Sequence, residues 1–200
     1  MAVRDAAATQ RRIAAAALKE FAAKGIAGAR VDAIATRART NKRMIYYYFR
    51  SKEDLFREIL RQRLARRPGG QTFDDLPHAE QLAMRQAIAL EHRDYTRLLM
   101  WEALESKSRS QKVMAEDERR ELYEELRARV VAAQAAGELP AEMDPGQVVL
   151  TELAITLFPA AFPQMVRLVT GRSVDDPDFL TERQEHLRQL SELLRDRTSV

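Results

Sequence analysis

Two short amphipathic segments separated by a three-residue break restrict the fold of this chain more than any other feature. In the first segment, apolar residues recur at i, i+3, i+4 and i+7, the spacing of one helix face, at Val31, Ile34, Ala35 and Ala38. After the break, Asn41 is a favourable N-cap for a second helix from Lys42 to about Tyr48. Two helices joined in this way are typical of a helix-turn-helix, whose second helix enters the DNA major groove.

The segments on either side complete a small helical domain. A helix over about 9–24 carries one apolar stripe, and Gly25 is placed to cap its C-terminal end. A fourth helix begins after Ser51, a favourable N-cap, and runs to about Ala65. The stretch 68–77, rich in proline and glycine, then predicts a connector to a second domain.

The outer face of the second helix of the pair is basic and aromatic. Ile45, Tyr48 and Phe49 share a face suited to packing against the other helices. The opposite face carries four side chains that can contact DNA: Arg43, Tyr46, Tyr47 and Arg50. An ordinary solvated face is the alternative, but adjacent outward tyrosines among basic residues favour groove and phosphate contacts.

Charge divides the chain at the same place as the predicted connector. Residues 1–67 contain 17 Lys and Arg against 6 Asp and Glu, whereas residues 68–200 contain 16 against 24. A basic segment of this size is expected where phosphates are neutralised, although it also suits an acidic protein or a membrane surface.

The remainder of the chain predicts further helices and no strands. Helical periodicity and caps place them at about 78–91, 93–107, 112–136, 146–170 and 177–196. The expected fold is therefore all-α with about nine helices. We expect a helix-turn-helix DNA-binding domain over 1–50, a connecting helix over 51–67, and a larger helical domain over 68–200.

Several N-terminal strings together resemble a known family. They lie at 9–25, 31–35, 41–49 and 51–55, and include Ile45-Tyr46-Tyr47-Tyr48-Phe49 followed by Ser51-Lys52-Glu53. This part of the chain is similar to the DNA-binding domain of the TetR/AcrR transcriptional regulators. The chain departs from the family at Arg39, where the family usually has glycine. A left-handed residue there would cost on the order of 1 kcal/mol.

The resemblance implies a set of DNA-binding residues. It places Lys42, Arg43, Met44, Tyr46 and Tyr47 toward the groove or backbone, Lys52 on a phosphate and Arg30 near the backbone. Arg39 is a further candidate for a phosphate contact. With the remaining turn residues, the predicted DNA-binding set is Arg30, Arg39, Thr40, Asn41, Lys42, Arg43, Met44, Tyr46, Tyr47 and Lys52.

The C-terminal part is diffusely similar to the ligand-binding and dimerisation region of the same family. The resemblance implies a regulator, typically a repressor, that a hydrophobic or amphipathic small molecule releases from a palindromic operator. Methionine and aromatic side chains form adaptable apolar walls, and plain core packing is the alternative for each of them. The candidate pocket residues are Met84, Ile88, His92, Tyr95, Leu99, Trp101, Met114, Tyr123, Phe158 and Phe162.

A homodimer is expected to form through the helices at 146–170 and 177–196. The first of these is apolar on nearly every side, so one face should remain for a partner once the monomer core is filled. A buried central helix is the alternative. Two helix-turn-helix motifs related by a two-fold axis can read half-sites in successive major grooves.

Other classes of function find little support in the sequence. The chain has no cysteine, and His78, His92 and His186 lack the glutamate three residues earlier that a di-iron bundle requires. No phosphate-binding loop or nucleophile elbow is present, so we expect no catalytic residue, metal or cofactor. The short apolar run 13–18 is too brief for a signal peptide, which predicts a cytoplasmic protein. The alternative function is a basic helical interaction module without sequence-specific DNA binding.

Overall fold

The computed structural model describes residues 2–64, 75–106 and 113–196, and within these ranges all regular structure is helical. The predicted all-α fold is therefore confirmed, with ten helices in place of about nine. They are α1 Ala2–Gly28, α2 Val31–Arg37, α3 Lys42–Tyr48, α4 Lys52–Leu64, α5 His78–Glu91, α6 Arg93–Glu105, α7 Glu116–Ala135, α8 Pro145–Ala161, α9 Pro163–Thr170 and α10 Pro177–Asp196.

The extra helix arises because the predicted helix over 146–170 is broken at Phe162. Pro163 has no N–H and disfavours a helical conformation in the residue before it, and Phe162 adopts φ −128° and ψ 60°. The axes of α8 and α9 consequently differ by 89°. Within the described ranges no single helix is long and apolar enough to cross a membrane; only this bent pair meets that test by length and composition.

The chain forms two compact units. The first comprises Met1–Arg66 and Asp94–Glu118, and the second comprises Arg67–Arg93 and Arg119–Val200. The helix-turn-helix therefore shares its unit with α6, a helix much later in the sequence. The functional division into 1–50, 51–67 and 68–200 remains a prediction.

The first unit is built on a core of α1, α2, α4 and α6. Phe21 of α1 and Phe56 of α4 are fully buried and meet edge to face, with ring centroids 5.7 Å apart. Leu98 of α6 is fully buried in the same cluster, which also contains Ile45 and Phe49. Burying a side chain of this size contributes about 1.5–3 kcal/mol. The predicted inner face of α3 is thus the face that anchors it.

In the second unit, α5 packs against both α8 and α10. Arg188 of α10 donates from Nε to Glu80 Oε1 at 2.7 Å, and Gln184 donates to the Ala83 carbonyl at 3.3 Å, so α5 and α10 are antiparallel. His78 is buried between α8 and α10, with Nε2 at 2.5 Å from Glu152 Oε1 and Nδ1 at 2.9 Å from Ser191 Oγ. These contacts fix the relative position of α8 and α10.

Candidate nucleic-acid interface and sensor region

The turn between α2 and α3 is closed by a well-defined backbone motif. The Thr40 N–H donates to the Ala35 carbonyl at 3.0 Å and the Arg39 N–H to the Thr36 carbonyl at 3.1 Å, the paired bonds of a Schellman cap. This cap requires a left-handed residue, and Arg39 supplies it with φ 51°. Asn41 Oδ1 then accepts from the Met44 N–H at 2.9 Å, which confirms Asn41 as the N-cap of α3.

The α3 face predicted to meet DNA points away from the core. Tyr47 is 77% exposed and Tyr46 43% exposed, and Arg43 and Arg50 are exposed beside them. The ring of Tyr47 meets that of Tyr48 edge to face at 5.2 Å, which supports its outward orientation. An exposed row of guanidinium groups and phenolic hydroxyls can donate hydrogen bonds to base edges and phosphates.

Residues around α3 extend this basic surface. Arg30, Arg39 and Lys42 are exposed, and Lys42 Nζ lies 3.5 Å from Asp32 Oδ1. Such an exposed ion pair is weak, so Lys42 can exchange its partner for a phosphate at little cost. Met44 and Thr40 are half-buried.

Lys52 has a structural role that the sequence did not indicate. Its ammonium group donates to the backbone carbonyls of Ile26, Ala29 and Ala27 at 2.8, 3.3 and 3.4 Å. An ammonium group has three donors, so it can serve all three carbonyls, and these contacts tie the start of α4 to the end of α1 and the residue after it. The predicted phosphate contact would require Lys52 to leave these carbonyls.

Glu20 joins α1 to α2 and was also missed. It is only 3% exposed, and its carboxylate accepts from Lys24 Nζ at 2.8 Å and from the Arg30 backbone N–H at 3.4 Å, with Arg37 NH1 at 3.6 Å. The hydrogen bond from Lys24 lowers the pKa of Glu20. The sequence signal was that Glu20 follows Ile13 by seven residues and therefore lies on the apolar face of α1.

The kink in α1 at Gly25 is where α6 contacts α1. Gly25 has φ 69° and ψ 179°, and a Cβ at this position would overlap Glu105 Oε1 and lie 3.0 Å from the Trp101 ring. Trp101 Nε1 and Arg97 Nε both donate to the Ala22 carbonyl, at 3.2 and 3.0 Å. Glycine is needed here both for its conformation and for the close approach of α6.

The predicted pocket residues are divided between the two units. Tyr95, Leu99, Trp101 and Met114 belong to the first, where Tyr95 and Met114 pack on the core and Trp101 packs on Gly25. The others belong to the second: Met84, Ile88, His92, Tyr123, Phe158 and Phe162. Phe158 and Phe162 are exposed and meet each other with ring centroids 5.2 Å apart. The structure therefore does not gather the ten residues in one compact unit.

Gln86 is the most unusual polar residue of the second unit. Its side chain is fully buried, yet neither its amide oxygen nor its amide nitrogen has a hydrogen-bond partner among the described residues. Burying an unpaired amide costs about 1–3 kcal/mol by protein mutational data, so such groups usually have an absent partner such as a ligand or water. The sequence signal was a glutamine on the apolar face of α5, between Leu82, Ala83, Ala89 and Leu90.

An ion-pair network links α5 to α8 beside this amide. Arg85 NH2 lies 2.7 Å from Glu152 Oε2, so Glu152 bridges Arg85 and His78. Burial lowers the pKa of Arg85. In the part of the chain that the structure describes, no three His, Cys, Asp or Glu side chains are grouped so that they could hold a metal ion.

Comparison with known proteins identifies the chain. Residues 13–59 match the family model for bacterial regulatory proteins of the tetR family, and residues 83–190 match that for the tetracyclin repressor-like C-terminal domain. The HTH-type transcriptional repressor SCO4008 of Streptomyces coelicolor is 33% identical over 171 residues, covering 86% of this chain and 88% of the repressor. The regulator RutR of Escherichia coli K12 is 29% identical over 194 residues, covering 94% and 90%. The solved structure of the Streptomyces coelicolor regulator SCO4942 superposes with a TM-score of 0.71 at 29% identity, covering 92% and 96%. The chain belongs to the TetR family of bacterial helix-turn-helix transcriptional regulators.

Proposed function

We propose that this protein is a homodimeric repressor that binds a palindromic operator through α3 and leaves it when a small molecule binds. The observation that carries the proposal is the outward row of Arg43, Tyr46 and Tyr47 on a helix whose opposite face is buried in the core. The repressor name of SCO4008, which is similar over most of both chains, supports repression as the mode of action.

The proposed DNA contacts are of two kinds, contacts to base edges and contacts to phosphates. Arg43, Tyr46 and Tyr47 lie at the centre of the exposed face and read base edges in the major groove. Arg30, Arg39 and Lys42 lie around it and bind phosphates, which fixes the register without conveying sequence. Asn41 acts on α3 as its cap, so its contribution to binding is through the position of the helix.

The proposed dimer forms through α8 and α10. The face of α8 that is not buried on α5 carries Leu150, Ala154 and Phe158 at i, i+4 and i+8, and all three are exposed. Arg183 of α10 donates to the Ile155 carbonyl at 3.1 Å, which places α10 beside α8. An apolar stripe flanked by an antiparallel helix suits a self-complementary interface about a two-fold axis.

The proposed effector is a hydrophobic or amphipathic molecule with a group that can both donate and accept hydrogen bonds. The support for the polar group is the unpaired buried amide of Gln86, which offers one acceptor and two donors. A ligand changes DNA affinity only if it favours one of two conformations. Trp101 and Glu105 of α6 lie against the kink at Gly25 of α1. Through these contacts a movement of α6 would change the position of the helix-turn-helix.

Selection of bound fragments from genomic DNA with the purified protein tests the proposed function. A repressor of this kind should recover a palindromic site and lose affinity steeply as salt rises. The Arg43→Ala, Tyr46→Ala, Tyr47→Ala variant should recover no common site. Recovery of fragments without a shared sequence by the wild-type protein would instead support the basic interaction module.

A further inference from the structure

The carboxylate of Glu20 contacts both ends of α2 from a buried position on α1. Glu20 Oε1 accepts from the backbone N–H of Arg30, the residue that precedes α2, at 3.4 Å. Glu20 Oε2 lies 3.6 Å from NH1 of Arg37, the last residue of α2. Because α2 has only seven residues, a single side chain of α1 reaches both its beginning and its end. The position of α2 on α1 therefore depends on Glu20 as well as on the packing of the apolar face of α2.

The two residues between α1 and α2 are held by two side chains of opposite charge. Lys52 donates to the carbonyl of Ala29 and to carbonyls at the end of α1, whereas Glu20 accepts from the N–H of Arg30. Neither set of contacts uses the side chain of Arg30, which is exposed. Glu20 thus helps to fix the backbone from which the proposed phosphate contact of Arg30 extends.

A change in the position of α2 is passed on to α3, because backbone hydrogen bonds close the turn between them. The N–H groups of Arg39 and Thr40 donate to the carbonyls of Thr36 and Ala35. These bonds restrict the turn, so the direction in which α3 presents its exposed face depends on where α2 lies. A residue that fixes α2 therefore acts on the reading helix without touching DNA.

Glu20 also holds two cations that would otherwise be available to phosphates. It is only 3% exposed, and Lys24 Nζ donates to its carboxylate at 2.8 Å. This hydrogen bond lowers the pKa of Glu20, so the carboxylate is ionised at neutral pH. The side chains of Lys24 and Arg37 are 49% and 47% exposed, so both can meet phosphates once Glu20 no longer holds them. Loss of this negative charge should therefore strengthen nonspecific DNA binding, which depends on the number of phosphates that the protein neutralises.

We infer that Glu20 is a positioning residue for operator recognition, which holds α2 so that α3 reads base edges and keeps Lys24 and Arg37 from nonspecific contacts with phosphates. The inference rests on the proposed reading of the operator by α3. Loss of Glu20 should lower specificity, which is the ratio of the affinities for operator and for random DNA. Loss of a residue with a purely structural role would instead lower both affinities together, because unfolding removes the whole interface.

Fluorescence anisotropy of the Glu20→Gln variant on the selected operator and on a random duplex tests the inference. Glutamine has nearly the same shape and keeps an oxygen for the Arg30 N–H, but it has no charge to hold Lys24 and Arg37. Operator affinity should fall by about tenfold, as for the loss of one base contact. Affinity for the random duplex should rise, and its slope of log K against log salt should steepen by about 1–2, because one or two released cations then bind phosphates.

Glu53→Gln is the matched control, because it removes the same charge from the same compact unit. Glu53 is exposed in the first turn of α4, and among the described residues it has no ion-pair partner. The control should keep the operator preference of the wild type. Urea unfolding of both variants establishes that they are folded under the conditions of the binding assay.

Arg37→Gln is a second test at a half-exposed position, and it decides alone if Glu20→Gln does not fold. It removes the contact of Glu20 with the end of α2, so operator affinity should fall while the salt slope stays that of the wild type. A slope shallower by about 1 would show that Arg37 itself binds a phosphate and would overturn the inference.

Two results with folded Glu20→Gln would overturn the inference and leave the proposed function standing. One is an equal loss of affinity for both duplexes, and the other is an operator preference equal to that of the wild type. A wild-type protein that shows no preference for the selected operator would overturn the proposed function, and the inference with it.

Discussion

Replacing Arg39 with glycine distinguishes the backbone strain of the turn between α2 and α3 from the proposed contact of the Arg39 side chain with DNA. Arg39 has φ 51°, a conformation that costs a residue with a Cβ about 1–2 kcal/mol and costs glycine nothing comparable. Its side chain is exposed and its backbone N–H completes the Schellman cap, which glycine preserves. Arg39→Gly should therefore raise the free energy of unfolding by about 1 kcal/mol, or the melting temperature by about 2–4 °C for a chain of this size.

The same substitution should weaken DNA binding, because it removes one proposed phosphate contact from each protomer. The slope of log K against log salt should become shallower by about 1 per lost contact. Arg39→Ala is the control, since it loses the guanidinium but keeps the strained backbone. Urea unfolding and operator titration of the three proteins separate the two effects. Equal stability of the Gly and Ala variants would refute the strain argument, and wild-type salt dependence in both would refute the phosphate contact.

Three further substitutions test residues whose roles depend on tertiary contacts. Lys52→Met should lower the free energy of unfolding by about 1–3 kcal/mol, because it removes the donor to the carbonyls at the end of α1. A change confined to DNA affinity would contradict this structural role and support the predicted phosphate contact. Gln86→Leu should stabilise the ligand-free protein by about 1–3 kcal/mol, because it removes a buried amide that has no hydrogen-bond partner among the described residues. It should also weaken the response to the effector. A loss of stability in urea unfolding would show instead that the amide is paired. Gly25→Ala should destabilise by about 3 kcal/mol, because φ 69° and ψ 179° form a conformation that residues with a Cβ avoid and because the Cβ would lie 3.0 Å from the Trp101 ring. Gly28→Ala, where the nearest atom is 3.4 Å away, should change stability by less than about 1 kcal/mol in the same thermal assay.

The helix-turn-helix could be predicted because its determinants are local. The apolar spacing of α2, the cap at Asn41 and the division of α3 into an apolar and a polar face all involve residues within one or two turns. The left-handed turn residue was also indicated, since Arg39 stands where the family usually has glycine. The break at Phe162 was missed although Pro163 was visible, because the apolar composition on both sides favoured one continuous helix.

The contacts that the sequence did not show join residues far apart in the chain. Lys52 meets carbonyls of α1 about two dozen residues earlier, and Trp101 donates to Ala22. Periodicity assigns such residues to a face of their own helix, but it contains no information about which element covers that face. Composition alone therefore predicts a ligand-pocket role for Trp101, which stays a prediction, and only the structure shows that its indole also holds α6 against the kink in α1.

The most direct test of α3 as the DNA-reading helix is to measure how much of the operator affinity depends on the side chains of its exposed face. Fluorescence anisotropy at physiological salt should compare the wild type with the Arg43→Ala, Tyr46→Ala, Tyr47→Ala variant, on the selected operator and on a random duplex. Each good base contact contributes about 1–3 kcal/mol, so the variant should lose at least about 100-fold in operator affinity while its urea unfolding is unchanged. Its affinity for the random duplex should change far less. Undiminished operator binding by the folded variant would contradict the assignment of α3 as the reading helix.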